Sequence, residues 1–134
     1  MPILLATSMR TILKGTMADT EYIKQVRYPD GQLRVEIDTE AGDVTRFLVQ
    51  LERLVDGEPN VVARFDHDQD GEQAHDITEE GLHLDVYRDG EKHRVERGFP
   101  PVRLSTAVGY RETYLEKHAD RYLRRFDQWH NLTT

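Results

Sequence analysis

Four Asp-Gly pairs divide the first two thirds of the chain into short segments of alternating apolar and polar residues. The pairs are Asp30-Gly31, Asp56-Gly57, Asp70-Gly71 and Asp89-Gly90. Asp-Gly is typical of two-residue hairpin turns, because both positions then take positive φ. Segment 32–38 alternates cleanly, with Leu33, Val35 and Ile37 on one side. This pattern predicts an antiparallel meander of five or six strands.

The predicted strand segments can be read from the same alternation. They are 21–28, 32–38, 45–55, 60–67 and a hairpin over 82–97. The apolar spacing of 45–55 also fits one or two helical turns, so that alternative stays open. The sequence GFPP at 98–101 ends the sheet, because consecutive prolines cannot continue a central strand.

A strong amphipathic pattern follows and predicts a helix over 105–129, with Ser105 as its N-cap and a break near His118. Apolar residues recur every three or four positions at Val108, Leu115, Ala119, Tyr122, Phe126 and Trp129. The opposite side is assigned the charged residues Arg111, Glu112, Glu116, Lys117, Asp120, Arg121, Arg124 and Arg125. The aromatic stripe is predicted to pack on the sheet as core. The fold class is therefore α+β.

The chain has 134 residues, which fits one domain. We predict a single α+β domain over 17–134, preceded by an N-terminal extension over 1–16. The chain has no cysteine, which fits an intracellular, cytoplasmic protein. No apolar run approaches the roughly 20 residues of a membrane span, so no membrane association is expected.

Charge is distributed unevenly along the sequence, whose net charge is −7. Residues 55–87 contain 1 basic and 10 acidic side chains, whereas 88–134 contain 10 basic and 7 acidic. The acidic middle favours a cation or a basic partner. The basic C-terminal third favours phosphates or an acidic partner, and solvated surfaces are the simpler interpretation of both.

The acidic middle contains the stretch ARFDHDQDGEQAHD at 63–76. Asp66, Asp68 and Asp70 followed by Gly71 match the opening of a calcium loop, in which alternate carboxylates converge on one ion. The match fails at the twelfth position, where Ile77 replaces the expected bidentate glutamate. A calcium or other divalent-cation site is therefore kept as the alternative. His67, His75 and His83, spaced by eight, offer a transition-metal site in the same region.

The same stretch also fits an acid/base cluster that needs no cofactor. His67 and His75 bracket the loop, and histidine can both accept and donate a proton near neutral pH. We expect Arg64 to lie on the same strand face as His67, where it would stabilise a phosphorane. Asp66 and Asp76 would orient the imidazoles. This set suits cleavage of RNA by its 2′-hydroxyl, whereas a polar turn without chemistry is the simpler alternative.

The order of these segments resembles the TumE family of small toxins over about 45–125. Arg64, Phe65 and Asp66 match the family's Arg-aromatic-Asp-Asn stretch, His67 replaces its asparagine, and His75 falls where its loop histidines begin. The resemblance implies RNA-directed toxicity that a helix-turn-helix antitoxin neutralises.

The leading hypothesis is thus a toxin-like endoribonuclease. Arg121, Arg124 and Arg125 would hold RNA phosphates in such an enzyme. The rival hypothesis is a noncatalytic module that binds a cation or a protein partner, which includes a second copy of the chain.

Overall fold

The computed structural model of the protein describes residues 19–68, 83–97, 99 and 104–132. These residues form a six-stranded antiparallel sheet in which each strand pairs with the next in chain order. The strands are β1 (Thr20–Arg27), β2 (Gly31–Glu40), β3 (Asp43–Val55), β4 (Glu58–Asp68), β5 (Leu84–Arg88) and β6 (Glu91–Glu96). One helix, α1 (Leu104–Trp129), packs across one face of the sheet. The predicted α+β meander is confirmed.

Alternation along the strands creates the core, as the sequence predicted. Leu33 on β2 pairs with Leu51 on β3, and Val49 on β3 pairs with Phe65 on β4. All four side chains are fully buried. Side chains at every second position share one face of a sheet, so these residues form the face that α1 covers. Segment 45–55 is strand throughout, and the helical alternative for it is wrong.

Helix α1 supplies the other half of the core through Leu115, Ala119 and Phe126, which are all buried. The helix runs continuously through His118, so the expected break is wrong. It begins at Leu104, which places Ser105 in its first turn rather than at the N-cap. Among the described residues, no helix combines the length and apolarity that a membrane crossing requires.

Arg111 is the clearest exception to the predicted helix polarity, because its side chain is fully buried. Its guanidinium carbon lies 5.1 Å from the ring centre of Phe47 and 5.2 Å from that of Phe65. Burial lowers the pKa of Arg111 to about 10, so the group stays charged at neutral pH. Arg111 precedes Leu115 by four residues, so the helical spacing places both side chains on the buried side of α1. The sequence prediction put Arg111 on the solvent side only because it is charged.

Among the described residues, three hairpin turns use positive φ, and only two of them are among the four predicted Asp-Gly pairs. Asp56-Gly57 and Asp89-Gly90 behave as expected, whereas the β2–β3 turn uses Ala41-Gly42. At Gly31, a Cβ atom would meet Leu123 Cδ1 at 2.7 Å, so this glycine lets α1 approach β2. Asp70-Gly71 lies outside the described residues.

Two apolar residues that were predicted to lie on a buried strand face, Tyr28 and Val61, are less buried than expected. Tyr28 is 83% exposed, because it follows the end of β1 and does not join the sheet face. A register shift opposite Leu51 and Glu52 buries Val62 in the core and leaves Val61 half-buried.

Candidate functional site: an arginine–aromatic surface

The side of α1 that faces β6 presents aromatic and basic residues in successive turns. Tyr114, His118, Tyr122, Arg125 and Trp129 are separated by three or four positions, so they lie in one row along the helix. Hydrogen bonding between Tyr122 and Glu96 joins this row to β6. We call the combined patch the arginine–aromatic surface; it consists of Arg88, Arg94, Arg121, Arg125 and Trp129, together with Tyr122, whose buried ring lies beneath the arginines.

Arg125 lies at the centre of this surface. Its guanidinium carbon is 5.3 Å from the ring centre of Tyr122 and 5.2 Å from that of Trp129. Its Nε and Nη2 atoms are buried and have no hydrogen-bond partner in the described part of the chain. Burial lowers the pKa of Arg125, and the neighbouring Arg94 lowers it further. The group is therefore a partly desolvated cation with two nitrogens that lack a hydrogen-bond acceptor.

The remaining arginines add positive charge to the same patch. Arg88, on the β5–β6 hairpin, places its guanidinium carbon 5.0 Å from the Trp129 ring centre. Arg121 lies 4.8 Å from the Tyr122 ring centre in the same way. Within the described ranges, neither Arg88 nor Arg121 forms an ion pair with a carboxylate.

Glu96 is the carboxylate of the patch, and its oxygens are already engaged. Tyr122 donates to Glu96 Oε1 at 2.5 Å, and Arg94 donates to Oε2 at 2.9 Å. Arg125 Nη2 is 3.9 Å from the same Oε2. Burial raises the pKa of Tyr122, and its bond to Glu96 raises it further, so the phenol keeps its proton. Arg94 and Arg125 thus share one carboxylate.

His118 borders the arginine–aromatic surface one helical turn before Tyr122. Its ring centre is 4.4 Å from that of Tyr114, and its side chain is half-buried. Burial lowers the pKa of His118, and the charges of Arg121 and Lys117 lower it further. The imidazole is therefore neutral at pH 7 and can accept a proton.

Arg64 and His67, the predicted catalytic pair, lie on opposite faces of β4. His67 pairs with Phe47 in the ladder and stacks on it at 5.6 Å between ring centres, on the face that α1 covers. It is 1% exposed. Arg64 instead donates to Gln50 Oε1 at 2.7 Å on the other face. The expected shared face is wrong, because residues three apart in a strand point to opposite sides.

Arg64 belongs to a polar hydrogen-bonded chain on the face away from α1. Gln50, which accepts from Arg64, donates to Glu52 Oε2 at 2.6 Å, and Glu52 accepts from Arg34 at 3.0 Å. Gln50, Glu52 and Arg34 are all buried. Buried polar groups need such partners, so the chain of bonds accounts for Arg64 structurally.

The predicted calcium loop does not begin as a loop. Asp66 and Asp68 pair with Leu48 and Arg46 in the β3–β4 ladder, so the chain between them is extended. A calcium loop of this type must instead wrap around the ion from its first ligand. No group of three potential metal ligands occurs among the described residues. Asp70, His75 and Asp76 lie outside them.

The predicted transition-metal histidines are separated where the structure describes them. His83 Nε2 is 3.7 Å from Asp85 Oδ1, and Asp85 pairs with Arg64 in the ladder. His83 is therefore associated with the polar face, whereas His67 lies under α1.

The three arginines predicted to bind RNA divide into two kinds. Arg121 and Arg125 belong to the arginine–aromatic surface. Arg124 points elsewhere, is 67% exposed and pairs with Asp120 at 2.9 Å. Arg88 and Arg94 were not predicted to join this surface, because they belong to the β5–β6 hairpin and not to the helix. The sequence feature that could have indicated them is the basic hairpin that precedes the basic helix.

A comparison with protein families places the chain in one of them. A family model described as "Domain of unknown function (DUF7718)" matches residues 17–132. The chain belongs to the DUF7718 family. That region contains all six strands and α1, and therefore the whole arginine–aromatic surface. No curated protein and no solved structure matches the chain.

Membership of DUF7718 assigns no activity, since the family is described as one of unknown function. The resemblance to TumE-like toxins and the domain boundary at residue 17 stay predictions.

Proposed function

We propose that the chain binds single-stranded RNA through the arginine–aromatic surface. The observation that carries this proposal is Arg125, whose buried nitrogens lack acceptors and whose nearest carboxylate, Glu96, is shared with Arg94 and Tyr122. Hydrogen bonds between a guanidinium and a phosphate are charge-assisted and strong. A phosphate at the exposed edge of Arg125 would supply the missing negative charge.

Single-stranded RNA fits this surface better than a simple anion does. Bases stack on guanidinium planes, and Arg121 and Arg125 lie over the buried Tyr122 ring while Arg125 also lies over the half-buried Trp129. A chain with a net charge of −7 repels nucleic acid over most of its surface. Binding must therefore be local, and it should weaken steeply with salt.

The test is fluorescence anisotropy with a labelled single-stranded RNA at several salt concentrations. Arg121→Ala and Arg125→Ala should each weaken binding about tenfold and reduce the salt slope by about one. Arg124→Ala is the matched control, because it removes the same charge from the same helix outside the surface. Equal losses in all three variants would show that the helix attracts RNA only through its net charge.

Cleavage of the bound RNA is a second candidate function, and the position of His118 favours it. Neutral His118 would take the proton of a 2′-hydroxyl, and the 2′-oxygen would bond to the adjacent phosphorus. The bond from phosphorus to the 5′-oxygen would break, and that oxygen would take a proton from water. Arg121 and Arg125 would stabilise the phosphorane charge.

Cleavage by this route depends on His118 and on the 2′-hydroxyl. His118→Ala should abolish cleavage while the anisotropy of RNA binding is retained. An RNA with one 2′-deoxy position should resist cleavage at that position. Cleavage that continues in His118→Ala, or past the 2′-deoxy position, contradicts this mechanism.

Binding or cleavage of cellular RNA would make the chain a toxin, and the TumE resemblance supports such a role. Expression of the wild-type chain should slow bacterial growth, and Arg125→Ala should relieve that inhibition. A neighbouring helix-turn-helix protein should restore growth and compete with RNA in the anisotropy assay. Growth inhibition that is unchanged in Arg125→Ala would separate toxicity from the arginine–aromatic surface.

A further inference from the structure

A cleft of about 430 Å³ lies beyond the C-terminal end of α1, between the β3–β4 and β5–β6 turns. Its apolar walls include Val61, Phe126 and Leu132. Its volume falls in the range of small-molecule sites, which combine apolar walls with a few polar groups. None of the residues that form the arginine–aromatic surface lines this cleft.

The end of α1 shapes one wall of the cleft. Asn131 takes a left-handed conformation with φ of 55°, and the Leu132 N–H donates to the Asp127 carbonyl at 2.8 Å. This cap turns the chain back, as left-handed residues commonly do after a helix. His130 is held at the cleft, where its ring centre is 4.2 Å from that of Phe126.

The polar groups of the cleft are hydrogen-bond acceptors. His130 Nδ1 is 3.2 Å from Asp89 Oδ1, which keeps the proton of a neutral imidazole on Nδ1. His130 Nε2 is then an acceptor; it is buried and has no partner in the ranges that the structure covers. The Asn60 amide nitrogen donates to two carbonyls, which leaves its oxygen as an acceptor. Glu58 also lines the cleft, and its carboxylate can offer two more acceptors.

We infer that this cleft binds a guanine base of the RNA. A flat heterocycle fits between apolar walls and can stack on the Phe126–His130 pair. Guanine carries two neighbouring donors, N1–H and the 2-amino group, which one carboxylate such as Glu58 can accept together.

The cleft adjoins the arginine–aromatic surface through the β5–β6 turn. Asp89, which holds His130, follows Arg88, which lies over Trp129. One RNA strand could therefore place phosphates on the arginines and a base in the cleft. The inference rests on the proposed function for RNA as the ligand, but a nucleoside without phosphate tests the cleft by itself.

The test is titration of guanosine and inosine into the ¹⁵N-labelled full chain, followed by the amide signals of Gly90 and Leu132. Inosine lacks only the 2-amino group, so it should bind about tenfold more weakly than guanosine. Glu58→Gln and His130→Ala should each weaken guanosine binding by a similar factor. Glu91→Gln, an exposed glutamate beside the other turn, is the matched control.

Equal affinities for guanosine and inosine, or guanosine binding that Glu58→Gln leaves unchanged, would overturn the assignment. Val61→Phe provides a second variant that fills the cleft without removing a polar group, and it should also block guanosine. Guanosine binding should persist in Arg125→Ala. If RNA affinity depends on Arg125 while guanosine moves neither amide signal, the cleft assignment fails and the proposed surface stands.

Discussion

The Arg53 guanidinium on β3 donates a hydrogen bond of 2.9 Å to the Asp127 carboxylate on α1, and both side chains are more than nine-tenths buried. The other Asp127 oxygen accepts from Arg27 at 3.1 Å. Asp30 pairs with both arginines, at 2.8 Å for Arg27 and 3.3 Å for Arg53. These four residues fasten the end of α1 to two hairpins of the sheet.

Replacement of Asp127 should therefore be costly. Asp127→Ala removes the carboxylate that accepts from both arginines, and we expect the free energy of unfolding to fall by about 3–5 kcal/mol. Urea denaturation followed by circular dichroism measures this change. Asp120→Ala is the control on the same helix, because its exposed pair with Arg124 should contribute less than about 1 kcal/mol. Similar losses for both variants would mean that the buried ion pairs of Asp127 stabilise the fold no more than the exposed pair of Asp120 does.

Two glycines should respond to alanine in opposite directions. A Cβ at Gly31 would lie 2.7 Å from Leu123 Cδ1 and 2.9 Å from Arg27 Cβ, so Gly31→Ala should destabilise the fold by about 1–3 kcal/mol. A Cβ at Gly109 on α1 would meet nothing within 4 Å. Gly109→Ala should therefore stabilise by about 0.5–1 kcal/mol through helix propensity. Thermal melting of both variants checks the signs, and a stable Gly31→Ala variant would contradict the close approach of α1.

The fold could be predicted because its pattern is local. Alternation defines each strand, turn residues separate the strands, and the 3–4 spacing defines α1, so neighbouring strands pair without long-range information. Arg111 shows the limit. Its spacing places it on the inner stripe, yet its charge argued for solvent. Cation–π contacts with the rings of Phe47 and Phe65 stabilise the buried guanidinium, and the helix pattern gives no information about these rings.

The candidate site could be predicted only in part, because it joins distant segments. Arg121 and Arg125 were identified as phosphate-binding from the basic helix. Their partners Arg88 and Arg94 depend on how α1 lies against β6, which no local pattern encodes. The Arg64–His67 pair failed for a different reason, since strand alternation already places the two side chains on opposite faces.

His67 should prove important for stability rather than for chemistry. It is 1% exposed and stacks on Phe47 under α1, so His67→Ala removes a packed ring from the core. We expect a loss of about 2–4 kcal/mol in the free energy of unfolding. RNA binding measured on the folded fraction should remain at the wild-type level. A fully stable His67→Ala variant that loses RNA cleavage would return His67 to the catalytic role.

The last prediction concerns the charge of His118, which depends on Arg121. Burial, Arg121 and Lys117 together lower the pKa of His118, so its imidazole should titrate below the ordinary value of 6.5. Arg121→Ala removes one repelling charge and should raise that pKa. Arg124→Ala removes an equal charge that does not contribute to the lowered pKa, so the pKa of His118 should stay unchanged in this variant. The imidazole signals in an NMR titration measure all three values.

The sign of this shift fixes the pH dependence of the proposed RNA functions. As the pH falls through the lowered pKa, His118 gains a positive charge, so RNA should bind more tightly. A protonated imidazole cannot act as a base, so cleavage should slow over the same pH interval. The binding curve and the rate curve should therefore change in opposite directions with one midpoint. That midpoint should move to higher pH in Arg121→Ala, and a midpoint that stays in place would break the link between His118 and the arginine–aromatic surface.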